Sequence, residues 1–558
     1  MTLGTSRCST VKGMEMHFAT VWESIADSIP DHVAITHLDN RRTWAEFDDR
    51  AARAAQAFTA AGLGPDSKIA LYMYNGNEYM EAHYGVFKMR GVAVNVNYRY
   101  LDEELWYLLD NSDAEAIVFH SSLADRVARV VDRLPKLKLL VVVDDGPAPG
   151  GAVDVPGAQA FETVLSAHEP MERITRSEDD IYMLYTGGTT GMPKGVMYQV
   201  GGLTEGFIMQ GFPIVGLTPP NDASEIGELV KAAVESDAPR MVSIPCAPLM
   251  HGTGCWLGWF IPMCAGGHIV TLTNRSLDAH EVLQTIEDYG ASAITIVGDS
   301  FAKPLIRALD EKKPDGTPYD TSSIGLFMSS GVMWTTEVKN EMLERIEQAV
   351  LVDAMGSSEG SMGTQISMKG VPAETAQFQQ MPTTKVFKDD DTEVEPGSDE
   401  VGMVAAGGNV PLGYYKDEAK SARTFRVIDG ERYSFPGDLA MVAADGTLIL
   451  LGRGSQVINT GGEKVFPEEV EEAVKRVDGV IDCLVVGVAN EKFGQAVTAV
   501  ASIADGASVD EATVIASVKN DLAGYKAPKS VIFVADVPRA PNGKADYKAA
   551  AALADAAT

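Results

Sequence analysis

The run Tyr185-Thr186-Gly187-Gly188-Thr189-Thr190-Gly191-Met192-Pro193-Lys194-Gly195-Val196 constrains this chain more than any other stretch. It follows Ile181-Tyr182-Met183-Leu184, an apolar segment of strand length, so it reads as a turn at the end of a strand. Gly187, Gly188 and Gly191 let the backbone turn tightly and expose consecutive N–H groups, which together make a concave anion site. The hydroxyls of Thr186, Thr189 and Thr190 add donors, and Lys194 adds a point charge suited to phosphate oxygens. Gly195 stands where a Walker A loop needs Ser or Thr, so this is a different phosphate loop. A flexible connection could share the composition. The strand before the run and Pro-Lys-Gly at its end favour phosphate handling.

At 558 residues the chain is long enough for several cores, and its apolar fraction of 45% is ordinary for a globular protein. The net charge of −32 argues against general nucleic-acid or polyanion binding, so any anionic ligand must be held by local donors. Residues 1–30 carry Arg7, Lys12, Glu15, Glu23 and Asp27 without an apolar core of signal-peptide length. The longest aliphatic runs, such as Leu139-Leu140-Val141-Val142-Val143, are strand-sized, so no transmembrane segment is predicted. Cys246, Cys255 and Cys264 lie among apolar residues and read as buried free thiols rather than metal ligands. A reducing cytoplasm is the expected home.

The first half alternates strand and helix. Lys68–Met73, Val92–Val96 and Ala116–Phe119 read as strands, and Thr43–Ala61 and Glu103–Asn111 as helices, the first opened by a Thr cap. This pattern predicts an α/β fold, a large N-terminal domain with parallel-sheet subdomains covered by helices. Residues 144–158 read as a surface connection, and 217–240 as an insertion with a helix from Ser224 to Glu235. Leu448–Leu451 reads as a strand running into the flexible joint Gly452-Arg453-Gly454-Ser455. Beyond it the order helix (467–476), strand (483–488), strand (496–503), helix (509–522), strand (530–534) predicts a small α+β C-terminal domain on a hinge. The alanine-rich end from Ala545 is expected to fray. The division is 1–452, a hinge at 453–455, and 456–558.

Four further segments carry chemistry. In Asp353-Ala354-Met355-Gly356-Ser357-Ser358-Glu359-Gly360, Glu359 is a candidate Mg²⁺ ligand and Asp353 a candidate acceptor for an adenine amino group. A helix N-terminus with a Glu in its first turn would look the same. Asp438 follows Gly437 at a tight turn, where a carboxylate can accept from both ribose hydroxyls. Gly461-Gly462 allows close backbone approach, with Pro467 opening an acidic helical turn. Pro541-Asn542-Gly543-Lys544 presents a lysine on a turn.

Together and in this order these segments resemble the adenylate-forming superfamily, specifically the AMP-forming acyl-CoA synthetases, from about residue 20 to residue 550. Pro248-Leu249-Met250-His251-Gly252 and Leu451-Gly452-Arg453 fall in the same order. The resemblance implies two half-reactions. A carboxylate attacks the α-phosphate of Mg·ATP and releases pyrophosphate; coenzyme A then displaces AMP as a thioester forms. It implies that Thr186 through Thr190 with Gly191 and Lys194 hold the β- and γ-phosphates, Glu359 holds Mg²⁺, and Ser358, beside Gly356, contacts the α-phosphate. It further implies that Asp438 binds the ribose, Arg453 lies near ribose and phosphate, and Gly331 lines the adenine with Met355. Lys544 would bridge carboxylate and α-phosphate, then leave as the small domain swings and brings Gly461-Gly462 to the pantetheine tunnel.

Three positions depart from the family pattern. Met355 stands where an adenine-stacking Tyr is common, Val332-Met333 replaces a frequent Ala-Pro, and Ser455 occupies the hinge position usually held by an acidic residue or Lys. By the same resemblance His251 lies at the mouth of the acyl pocket and positions the carboxylate. The aromatic run after it is expected to form a helix lining that pocket. No Lys or Arg occurs between Met241 and Met263, which disfavours a dicarboxylate or an amino acid. A medium- to long-chain fatty acid ranks slightly above a steroid side-chain acid. An acyl-AMP ligase loading a carrier protein would share every nucleotide residue, and CoA-dependent AMP release separates the two. A luciferase-like oxidative fate would consume oxygen, and an inactive ATP- or acyl-binding protein would release no pyrophosphate. The sequence leaves the oligomeric state open, a homodimer included.

Overall fold

The computed structural model describes residues 15–146, 151, 153–187, 192–236, 240–371, 374–460, 463–490, 494–504, 506–522, 524–539 and 544–557. The predicted alternation in the first half holds. Strands Val92–Asn95, Lys68–Tyr72, Ala114–His120, Leu139–Val143 and Ala158–Ala160 form one parallel sheet in that order. Helix Trp44–Ala60 begins at Thr43, whose hydroxyl accepts from Glu46 N–H while the Glu46 carboxylate accepts from Thr43 N–H. Its inward face (Phe47, Ala51, Ala54, Ala55, Phe58) is buried in the same core as Tyr84 and Phe87 of helix Asn77–Lys88.

A second, larger sheet carries the site. Its parallel part runs through strands His268–Thr271, Val242–Pro245, Ala293–Ile296, Leu326–Ser330 and Val350–Ser357. At the hairpin of Val350–Ser357 with Gly360–Ser367 the sheet turns antiparallel, continuing through Gln377–Gln380, Leu448–Arg453 and Asp438–Val442. Alternation in the first half gave no sign of this antiparallel extension. Loops after the parallel strands carry His251, Gly331 and Glu359. Open α/β sheets hold ligands in the crevice outside such carboxyl ends.

The insertion helix spans Ile226–Glu235 and packs on helix Phe18–Ser28, where a Cβ at Gly227 would lie 2.5 Å from Ser28 Oγ. The glycine-flanked joint expected at 452–455 begins two residues later. The strand runs through Arg453 before a single 3₁₀ turn at Gly454–Gln456. The last hundred residues build their own sheet from Glu463–Val465, Ile458–Thr460, Gly494–Ile503 and Val480–Asn490, with Ser530–Phe533 parallel to Gly494–Ile503. Helices Pro467–Lys475 and Glu511–Asp521 cover one face. The expected fraying of the C-terminal end is corrected. Residues Tyr547–Ala557 form a helix that buries Ala550 and Ala554 against Leu484, Val486 and Val500, so alanine's high helix propensity and tertiary packing act together. No described helix is long and apolar enough to cross a membrane.

Candidate active site

The phosphate run follows strand Ile181–Thr186, as its sequence predicts, and leads into strand Lys194–Gln199, with Thr186 paired to Lys194 across the hairpin. Gly187 is exposed at the open end, whereas Gly188, Thr189, Thr190 and Gly191 lie outside the described residues. The Lys194 ammonium donates to Asp417 Oδ2 at 2.7 Å and lies 5.7 Å from the centre of the Tyr414 ring. Tyr414 in turn donates its hydroxyl to Glu359 Oε1 at 2.7 Å. A short strand, Gly413–Tyr414, pairs with Lys194–Gln199 and so ties the lysine to the acidic turn. Sequence reasoning passed over Tyr414 and Asp417. Their signal was the run Gly413-Tyr414-Tyr415-Lys416-Asp417, aromatic and charged after a Pro-Leu turn.

Glu359 lies in a β-hairpin turn, not at a helix start. Its N–H donates to Ser357 Oγ at 3.1 Å, and Tyr198 donates to the Ser358 carbonyl at 3.0 Å, which fixes the turn. A Cβ at Gly356 would come within 3.2 Å of Gly360 O across the hairpin. Two residues of this segment point inward. Met355 is packed with Met362, Phe378 and Val404. Asp353 is buried and paired with Lys339 Nζ at 3.0 Å, and burial still pushes its carboxyl up to about 6.

Asp438 begins its strand after Gly437, whose φ of +102° needs a glycine. One oxygen accepts from Arg453 Nε at 3.4 Å, directly across the strand pair. The other is buried and has no hydrogen-bond partner among the described residues. Burial raises the Asp438 pKa, Arg453 opposes that shift, and the charge of Glu359 adds to it. An orphaned, buried carboxylate oxygen costs free energy until a donor arrives. The hydroxyl pair of a ribose would be such a donor.

Lys544 reaches this cluster from the other domain. A Cβ at Gly331 would lie 3.9 Å from Lys544 Cε and 3.7 Å from Thr253 Oγ1. Gly331 adopts a φ of +94° at the end of strand Leu326–Ser330, and its loop is pinned by Thr335, which donates its N–H to Asp299 at 2.9 Å. Lys544 keeps one side open to solvent but is walled in elsewhere. Desolvation and the Arg453 charge lower its pKa, while Glu359 and Asp438 oppose that. Residues Pro541, Asn542 and Gly543 of its turn, and Gly461 and Gly462, lie outside the described residues.

Beyond His251, Gly252 is followed by a π-helical segment, Thr253–Phe260, a helix as expected but in a wider form found often at functional sites. Glycines allow its close seating: a Cβ at Gly254 would lie 2.3 Å from Pro248 O. His251 Nε2 is buried without a partner among the described residues. Burial, helped by the charges of Lys544 and Arg99, pulls its pKa down to about 3, so the imidazole is neutral. Trp256 donates to the Tyr182 hydroxyl at 2.9 Å beside it.

The geometry thus links Lys194 to Glu359 through Tyr414 and brings Lys544, which stands at Gly331, within the electrostatic reach of Glu359, Asp438 and Arg453. Comparison with known proteins agrees. The family model "AMP-binding enzyme" matches residues 22–415, and "AMP-binding enzyme C-terminal domain" matches 469–544. The chain belongs to the AMP-binding enzyme family. It is an ATP-dependent acid–thiol ligase that makes acyl-CoA. It is 40% identical to the 3-oxocholest-4-en-26-oate–CoA ligase of Rhodococcus rhodochrous, over 96% of this chain and 95% of that one. It is 39% identical to a medium/long-chain-fatty-acid–CoA/3-oxocholest-4-en-26-oate–CoA ligase of Mycolicibacterium smegmatis, over 96% of each. The fold matches ATP-bound MatB from Rhodopseudomonas palustris with a TM-score of 0.80, at 22% identity, over 97% of this chain and 99% of that one.

Proposed function

We propose that this synthetase activates a large hydrophobic monocarboxylic acid, a medium- to long-chain fatty acid first, and that Lys544 drives the adenylation half-reaction. The observation that carries the reading is the placement of Lys544 against Gly331, within the field of Glu359, Asp438 and Arg453. A carboxylate oxygen attacks the α-phosphorus of ATP, the bond to the bridging oxygen breaks, and pyrophosphate leaves. Negative charge gathers on the α-phosphate and the attacking carboxylate. An ammonium held between them stabilises that state more than the ground state.

Thr186, Gly187 and Lys194 would take the β- and γ-phosphates, with Tyr414 and Asp417 holding Lys194 in place. Asp438 would accept from the ribose hydroxyls with its orphaned oxygen, and Gly331 would let the adenine lie close. Glu359 has the chemistry for Mg²⁺, an oxygen ligand on a rigid turn beside the phosphate loop. When bound, that ion neutralises charge on the phosphates. The neutral His251 imidazole would orient the acid carboxylate by a hydrogen bond. In the second half-reaction the CoA thiolate attacks the acyl carbonyl, and AMP leaves with the electron pair of the broken C–O bond. For that step we propose a rotation about residues 453–455 that withdraws Lys544.

The apolar wall from Gly252 to Phe260 supports a hydrophobic acid. A steroid side-chain acid is the second reading, favoured by the 40% identity to a ligase named for one. The test is pyrophosphate release across fatty, aromatic and sterol-derived acids, with and without CoA. Turnover should peak on large apolar acids, and CoA should be needed for AMP release. A flat response across chain length would overturn the hydrophobic-acid reading.

A further inference from the structure

The small domain touches the large one at a carboxyl group that the site described so far does not use. Helix Pro467–Lys475 opens with Pro467, and its first turn places Glu468 against the last two residues of strand Leu448–Arg453. Glu468 Oε1 accepts from Arg453 N–H at 3.4 Å. Glu468 Oε2 is buried without a hydrogen-bond partner among the described residues. The approach is close enough that a Cβ at Gly452 would lie 2.0 Å from Glu468 Oε2. Gly452 also holds a φ of +111°, so this strand end accepts the carboxyl group only because no side chain stands there. Immediately beyond lies the 3₁₀ turn Gly454–Gln456, the short connection between the domains.

We propose that Glu468 is a positioning residue for adenylation: its carboxyl group caps Arg453 N–H and seats the small domain so that Lys544 stands at Gly331. The inference rests on the reading that Lys544 serves the first half-reaction. Arg453 is the shared strut. Its N–H goes to Glu468 and its guanidinium to Asp438, so the ribose-binding strand and the small domain meet on one residue.

The seat is sensitive to charge. The groups acting on Glu468 are Asp438 and Arg453 from the two strands, Glu471 one turn along its own helix, and Tyr547 from the final helix. Burial, with the Asp438 charge adding to it, pushes the Glu468 carboxyl up to about 7 from an ordinary 4.5. Released into water the group returns to its ordinary value. Seating therefore binds a proton more tightly than release does. It is favoured at low pH and weakens as pH rises from about 4.5 through about 7.

The experiment measures the two half-reactions separately on the full chain: pyrophosphate release from ATP and acid, and thioester formation from supplied acyl adenylate and CoA. Glu468→Ala should slow pyrophosphate release about tenfold, the order of one lost hydrogen bond to a charged or polar partner, and leave thioester formation unchanged or faster. Glu468→Gln keeps an acceptor oxygen and cannot ionise. It should restore pyrophosphate release and abolish the decline in that rate between pH 5 and pH 7. Equal loss of both half-reactions in Glu468→Ala, or no loss in either, overturns the proposal. A wild-type pH decline retained in Glu468→Gln overturns the proton-linked part, whether or not Glu468→Ala folds well. If Lys544→Ala spares pyrophosphate release, the reading of Lys544 fails on its own, independently of either Glu468 result.

Discussion

The two sides of the site solve opposite problems. The side proposed for the nucleotide gathers charge: Lys194 with Asp417, Glu359 with Tyr414, Asp438 with Arg453, and Lys544 over Gly331. The side proposed for the acid avoids it. His251 is neutral at physiological pH, and the π-helical segment Thr253–Phe260 carries no ionisable side chain except Cys255, whose thiol burial pushes well up. Phosphates must be bound against a net charge of −32, which only local, directed donors can do. An alkyl or ring system needs excluded water and a fitted wall. Discrimination on the first side therefore rests on individual atoms, and on the second on shape.

The largest effect should come from breaking the charged side at its centre. Lys544→Ala should lower pyrophosphate release by about a thousandfold, the upper range for deleting one directed transition-state donor. Thioester formation from supplied acyl adenylate should persist. Equal loss in both assays would remove Lys544 from its assigned step. Asp438→Asn comes next. It keeps the shape but loses the anionic acceptor, and should raise the KM for ATP about 10- to 100-fold, as for a charge-assisted hydrogen bond. The KM for the acid should stay within about twofold on the same reasoning. A parallel rise in both constants would show that the two sides are not separable.

How much of this was legible in sequence follows the same division. Charged residues next to glycine announce themselves: Asp438 follows Gly437, whose φ is positive, and Lys544 follows an Asn-Gly pair in the sequence. Their convergence did not follow from spacing. Lys544 reaches Gly331 across a domain boundary, and only the ordered set of motifs pointed to that. Tyr414 and Asp417 escaped notice because a two-residue strand, Gly413–Tyr414, is too short to leave a periodic signal. The buried pair of Asp353 with Lys339 was also hidden: a lysine on helix Thr336–Arg345 gives no hint that it faces inward. The C-terminal helix was misjudged because alanine content at a chain end suggests terminal fraying, although alanine favours helix and here also supplies the apolar strip of Ala550 and Ala554.

On the acyl side smaller effects are expected. Trp256 is half-buried and tied to Tyr182 by its indole N–H. Trp256→Ala should shift the preferred acid toward bulkier chains by about tenfold in relative kcat/KM, the low end for a pocket change of a few methylenes. The KM for ATP should not follow. An unchanged acid profile would place the selective wall elsewhere.

The smallest effect on turnover, and the sharpest test of how neutral this side must be, concerns His83. It packs against the π-helical segment among Trp259, Phe260, Phe87 and Tyr79, and neither ring nitrogen has a hydrogen-bond partner among the described residues. Burial alone pulls its pKa down to about 3. The unfolded chain, with His at its ordinary 6.5, binds a proton that the folded chain refuses, so stability falls as pH drops from 6.5 toward 3. Between pH 7 and pH 5 this one group should cost on the order of 2 kcal/mol. His83→Phe fits an aromatic cage of similar shape and removes the titration. It should leave both half-reactions near their wild-type rates and flatten the acid limb of the stability curve, read as urea midpoints at pH 7 and pH 5. If the midpoint falls as steeply in His83→Phe as in the wild type, acid sensitivity resides in other groups, such as His268, also held near 3 by burial. If turnover collapses instead, the cage behind the pocket does more than exclude water and charge.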